Sequence, residues 1–141
     1  MSQQAVGRKN YEKELSFSEG FGSFSVDDLR EAKEFYAQTL GLDVTDRPQG
    51  LLLKVGGTQI FLYAKDDHEA ATFTVLNLSV DDIEKTVEAL SERGIEFESY
   101  DEPIETDEKG IFWGKRRGQG PNIAWFKDPA GNILSAIELD L

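Results

Sequence analysis

The chain states one pattern twice. "VDDL" at Val26–Leu29 returns as "VDDI" at Val80–Ile83, an offset of 54 residues, and "LGLDV" at Leu40–Val44 returns as "RGIEF" at Arg93–Phe97, an offset of 53. Two separate landmarks that keep nearly the same spacing point to a duplicated unit, because chance matches do not hold their register. A chain of 141 residues has room for one compact domain built from two such units.

Each unit opens with alternation: "FGSFSV" and "TFTVLNLSV" set small or polar residues between apolar ones, and Phe, Thr and Val suit a pleated strand. A helix follows. In the second unit Ile83, Val87 and Leu90 recur at helical spacing while Glu84, Lys85, Glu88 and Glu92 face away; in the first, Leu29, Ala32, Phe35, Tyr36 and Leu40 make the equivalent stripe. Asp28 with Glu31, and Asp81 with Glu84, have the spacing of a capping box, and Gly41 and Gly94 supply the left-handed residue that ends a helix. Strands then return. Unit one has "LDVTD", "LLLKV" and "TQIFLYA", the last two joined across Gly56–Gly57; unit two has "IEFESY", "NIAWF" and "ILSAIEL", the last two joined by the turn "KDPAGN". The segment between Asp101 and Pro121, containing "GKRRG", reads as a long connection. The expected fold is α+β: two tandem β-α-β-β-β modules, at 15–65 and 72–139, within a single domain 15–141. Residues 1–14 are expected to be a flexible arm or a cloning remnant.

On "VDDLREAKEFYAQTLGL", "LLLKVGGTQIFLY", "VDDIEKTVEALSERGIEF" and above all "GPNIAWFKDPAGNILSAIEL", the chain resembles the vicinal oxygen chelate superfamily over roughly Leu15 to Leu139. That superfamily includes glyoxalase I, extradiol dioxygenases, fosfomycin-resistance enzymes and bleomycin-resistance proteins. The resemblance implies a glyoxalase-like open cleft formed by two curved sheets. It does not decide the chemistry, since one scaffold carries isomerases, transferases, dioxygenases and non-catalytic binders.

Metal-dependent members commonly hold a divalent ion with His, Gln or Glu from the first and last strands of the modules. Counting from the Val-Asp-Asp landmarks and from Asp128 puts Phe21, Val75, Phe61 and Ser135 at those positions. None offers the carboxylate oxygen or imidazole nitrogen that such an ion needs, and a slip of one residue brings in no better donor. No metal and no cofactor are expected. The strand faces carrying Phe21, Ser23, Phe61, Tyr63, Val75, Asn77 and Ser135 suit an organic ligand instead, with aromatic surface for packing and a few polar groups for orientation. The basic run Lys115, Arg116 and Arg117 reads most simply as offsetting nearby acids such as Asp101, Glu102, Glu105, Asp107 and Glu108. In the functional reading Trp113, Arg116 and Trp125 stand at the cleft mouth, where an arginine fork would capture a carboxylate or phosphate.

The expected function is metal-independent binding, a protein of the glyoxalase/bleomycin-resistance type that sequesters a small organic molecule. The alternative is a glyoxalase-like isomerase or lyase in which Glu19, enclosed by phenylalanines, acts as general base. Other chemistry-bearing residues have plainer readings: His68 as a solvated linker residue, Glu138 on the face opposite Ser135 and at the surface, Tyr36 as helix-to-sheet packing, Asp128, Gly131 and Asn132 as turn formers. With 15 basic against 27 acidic residues the net charge of −12 repels nucleic acid and anionic membrane surfaces. Having no cysteine excludes disulfides and thiolate chemistry. No run reaches the ~20 apolar residues of a membrane span and the N-terminus lacks a signal peptide's apolar stretch, so a cytoplasmic location is expected. Open sheet edges and abundant aromatic residues lead to the expectation of a homodimer, module one of each chain beside module two of the other.

Overall fold

The computed structural model describes residues 15–139; the expected arm at 1–14 lies outside them. The elements run β1 (Gly22–Val26), α1 (Leu29–Lys33) continuing as a π-helical stretch (Glu34–Thr39), β2 (Asp43–Arg47), β3 (Gly50–Val55) and β4 (Thr58–Ala64). The second half runs β5 (Thr74–Ser79), α2 (Ile83–Glu92), β6 (Ile111–Trp113), a short α3 (Gly114–Arg117), β7 (Asn122–Lys127) and β8 (Ile133–Glu138). Two four-stranded sheets result, ordered β1-β4-β3-β2 and β5-β8-β7-β6. In each, the first strand runs parallel to the last and the other neighbours are antiparallel. The repeat read in the sequence is therefore a repeat of topology.

Asp28 caps α1, its Oδ1 accepting from the amides of Arg30 and Glu31 at 3.0 and 3.1 Å. In the second module the cap sits one residue later than expected. Asp82, not Asp81, accepts from the Lys85 amide at 3.1 Å, so the box of Asp81 with Glu84 does not form. Gly41 and Gly94 end the helices at φ 72° and 91°, where a side chain would be strained.

A second difference concerns the strand expected at Ile95–Tyr100. Only Phe97 bridges to Phe126, with the Glu98 amide donating to the Trp125 carbonyl at 2.8 Å. The rest of that edge of β7 is covered by β6, drawn from the segment read as a connection. Burial decides it: Ile111 and Phe112 are both buried, whereas Ser99 and Tyr100 are exposed. The excursion is turned by Asp107, whose carboxylate accepts from the amides of Lys109 and Ile111 and from the Trp113 indole.

Strand alternation sorts the side chains of each sheet onto two faces. Toward α1 point Phe24, Val26, Leu51, Leu53, Ile60 and Leu62, all buried; toward α2 point Ala124 and Ala136, small enough to let Ile83 and Val87 approach closely. Burying each large aliphatic or aromatic group contributes about 1.5–3 kcal/mol. The main core also crosses between modules, since Ile95, Phe126 and Leu134 belong to the same cluster as Tyr36 and Leu53.

The turn "DPAGN" makes that junction. Buried Asp128 accepts from the amides of Ala130 and Asn132 on Oδ1, which closes the turn, and from the Tyr36 hydroxyl at 2.7 Å on Oδ2, which holds module one. The Asn132 amide group donates to the Ser25 carbonyl at 2.9 Å. His68, expected to be solvated, is half-buried, with Nδ1 2.7 Å from the Ser25 hydroxyl and Nε2 3.0 Å from the Ala130 carbonyl. Arg93 fastens the other side by donating to the Thr39 carbonyl at 2.8 Å.

Candidate functional site

On the face of sheet one turned away from α1, a cavity of about 500 Å³ is lined by Glu19, Phe21, Arg47, Pro48, Gln49, Leu52, Gln59 and Phe61. Alternation places Phe61 on this face between Ser23 of β1 and Leu52 of β3, its cross-strand neighbours. Tyr63 follows on the same face, its ring stacked on Phe61 at 6.5 Å and 17°. Gly50 makes the wall possible. A Cβ there would lie 2.8 Å from the Phe61 ring and 2.0 Å from the Leu62 carbonyl oxygen, so only glycine lets the ring lie across the strand.

The equivalent face of sheet two carries Asn77 opposite Ser135, as Ser23 stands opposite Phe61. The Ser135 hydroxyl donates to Asn77 Oδ1 at 2.5 Å, and Ser135 is fully buried between Asn77 and its other neighbour, Trp125. Val75 stands elsewhere than expected. A bulge between Thr74 and Leu76 leaves it packed toward the main core, and Thr74 takes the ligand face, accepting from the Trp125 indole at 3.2 Å. Trp125 is flanked by Tyr100, edge-on at 5.5 Å, and by Phe112 at 6.5 Å.

Trp113 and Arg116 do not join this group. Trp113 packs on the α2 side of the sheet, with the Arg116 guanidinium 4.2 Å above its ring, one strand position away from Phe112, which faces Trp125's side. Arg117 is paired to Glu102 and Glu105, as expected of a run that offsets nearby acids. The cation that lines the cavity on sheet one is Arg47. The alternation in "LDVTD" gives no sign that the strand continues past Asp46, and one more residue of β2 sets Arg47 opposite Gly50.

A divalent ion does not fit these faces. Phe21, Phe61, Ser135 and the Thr74–Val75 bulge supply no carboxylate or imidazole, and no group of three His, Asp or Glu among the described residues is placed to hold a metal. Glu138 is directed to the opposite face, as alternation requires, but it is more than a surface acid. It accepts from the Ile83 amide at 2.9 Å, from Asn122 at 3.0 Å and from Lys115 at 3.0 Å, and the Ile83 amide foremost holds its carboxyl below the usual glutamate range. Glu19 lines the cavity yet is exposed, not enclosed among phenylalanines as a base working by desolvation requires.

Residues 22–135 match the model of the Glyoxalase/Bleomycin resistance protein/Dioxygenase superfamily. The chain belongs to that superfamily. The likeness in structure extends over nearly the whole of several members. A glyoxalase family protein from Enterococcus faecalis is 26% identical with a TM-score of 0.62, the match covering 86% of this chain and 98% of that one. TnmS3, an antibiotic binding protein from Streptomyces sp. CB03234, is 23% identical at a TM-score of 0.62, covering 89% of this chain and 100% of its own. A bleomycin-binding protein complexed with bleomycin is 21% identical at a TM-score of 0.61, covering 88% and 100%. In sequence alone, the uncharacterized protein YraH of Bacillus subtilis is 25% identical over 130 residues, 81% of this chain and 92% of YraH. No helix among the described residues is long and apolar enough to cross a membrane.

Proposed function

We propose that this protein binds a small, flat, largely apolar organic molecule against the helix-free faces of its sheets, without a metal, and holds it instead of transforming it. The observation that carries this reading is the cavity walled by Phe21, Phe61 and Leu52, the first two at positions where a metal-dependent relative would place ligands. Superfamily members that bind bleomycin or another antibiotic support small-molecule binding as a use of this scaffold. Aromatic rings supply the packing and Gln59, Ser23 and Asn77 the orienting hydrogen bonds. Fluorescence titration with neutral N-phenyl naphthylamine tests it: saturable binding is expected, weakened in Phe61→Ala and blocked in Leu52→Trp, and no binding would overturn the reading. Dialysis against Mn, Fe, Ni or Zn should leave far less than one equivalent bound; a full equivalent would overturn metal independence.

The working form in this reading is a two-fold homodimer. Among the described residues β1 and β5 are each the outer strand of a sheet with one side unpaired, and Phe21 and Phe73, 62% and 67% exposed, stand at the entrances to those edges. Setting β1 of one chain beside β5 of its partner covers both and brings the Phe61 face next to a Trp125 face. Light scattering at two salt strengths is expected to give twice the 15.8 kDa chain mass; the single mass in both would overturn the pairing.

A further inference from the structure

Arg47 has no carboxylate partner among the described residues of a chain whose net charge is −12. Its one hydrogen bond is from Nη1 to the neighbouring Asp46 carbonyl at 3.3 Å, and no carboxylate among the described residues lies within 4.0 Å of it. Lys54 of β3 also has no carboxylate within 4.0 Å among the described residues, but it does not line the cavity; the remaining cations beside the sheets are mostly committed. Lys33 holds the Asp46 carboxylate at 2.9 Å, Lys115 holds Glu138, Arg117 holds Glu102 and Glu105, and Arg116 lies on Trp113. Asp46, the acid adjacent in sequence, is thereby drawn to the α1 side of β2, while alternation turns Arg47 to the cavity.

The second module shows what an ordinary residue does at the matching place. There Phe112 pairs with Ile123 across the sheet, as Arg47 pairs with Gly50, and it is buried. Module one has a guanidinium on this lattice point, over a glycine that gives it no side chain to pack on. Glu19 lines the same cavity from beyond the other end of the sheet. β1 and β2 are three strand spacings apart, ~14 Å, which lets a ligand body lie across Phe61 and Leu52 with its two ends in opposite fields.

We propose that the ligand carries an anionic group, a carboxylate, sulfonate or phosphate, which Arg47 holds at the β2 end of the module-one cavity. This rests on the reading of that cavity as a ligand site. The guanidinium offers a planar fork of donors to two oxygens, and Gln49 and Gln59 add neutral amide donors beside it. Repulsion by Glu19 fixes the orientation, anion toward Arg47 and apolar body toward Phe21. A protein this acidic repels anions at long range, so selectivity for one must be built locally.

The test is a matched pair of probes: anilinonaphthalene sulfonate and N-phenyl naphthylamine, which share the aromatic body and differ in the sulfonate. Fluorescence titration of the full chain is expected to give affinity for the sulfonate about tenfold above that for the neutral probe, with the preference shrinking as salt rises. Arg47→Met is expected to bring the ratio of the two affinities to about one, and Arg47→Lys to retain part of it. Leu52→Trp should block the sulfonate probe. Equal affinities in the wild type, an unchanged ratio in Arg47→Met, or sulfonate binding that survives Leu52→Trp would each overturn the assignment. If the neutral probe binds and the ratio is one, only the anion inference falls; if neither probe binds, the cavity reading falls with it.

Discussion

Removing one oxygen atom should loosen the two modules. The Tyr36 hydroxyl donates to Asp128 Oδ2 at 2.7 Å with both residues buried, and burial, reinforced by the Asp128 charge, pushes its proton affinity far up, so it remains a donor at any working pH. Tyr36→Phe deletes that donor and keeps the ring, which packs edge-on against Phe35 at 5.1 Å and tilted on Phe24 at 6.3 Å. Asp128 Oδ1 keeps the amides of Ala130 and Asn132, while Oδ2 is left with the Asn132 side chain alone at 3.1 Å. The loss is one charge-assisted bond in a dry junction, about 1.5–3 kcal/mol. For 141 residues the unfolding entropy is about 0.3 kcal/mol/K, so Tm should fall by about 5–10 °C. Chemical denaturation with Asp128→Asn and the double variant completes the cycle, and a coupling of about 1 kcal/mol or more is expected. A loss under about 0.5 kcal/mol, or strict additivity, would refute the claim that this bond fastens module to module.

Glu138→Gln weakens the ties to the Ile83 amide and Lys115; because the folded carboxyl titrates below its unfolded value, that stability exists above the unfolded pKa and vanishes as pH falls through the folded one. The Tm gap between wild type and variant should therefore be widest above about pH 5 and close in acid, and a pH-independent gap would refute it. Gly50→Ala sets a Cβ 2.0 Å from the Leu62 carbonyl oxygen, which must displace β4; a loss of at least about 3 kcal/mol, or no folded protein, is expected by circular dichroism. Phe126→Ala empties the core where the modules meet and should cost about 3–5 kcal/mol in denaturant titration, with an undiminished midpoint counting against a shared core.

The sequence by itself determined the architecture. Repeat spacing, strand alternation, Gly41 and Gly94 as helix stops and the Gly56–Gly57 hairpin are local or periodic signals, readable because backbone geometry limits each to few forms. The apolar character of the metal positions was also legible, since it depends on residue types and not on their partners. Three things were decided by tertiary structure. Ile111–Trp113 became a strand in place of Ile95–Tyr100 because the open edge of β7 selects whichever segment brings buriable side chains to it, a competition invisible to propensity. Val75 left the ligand face because a single bulge shifts the register of β5, and no residue type in "TFTVLNLSV" marks where the bulge falls. Tyr36, His68, Asp128 and Asn132 looked like packing, linker and turn residues, and their meeting between the modules joins positions as far as 107 residues apart, as Asn132 and Ser25 are. Arg47 belongs to the same class. Its importance lies in the carboxylate it lacks among the described residues, a property of the folded surface, where Lys33 has already taken Asp46.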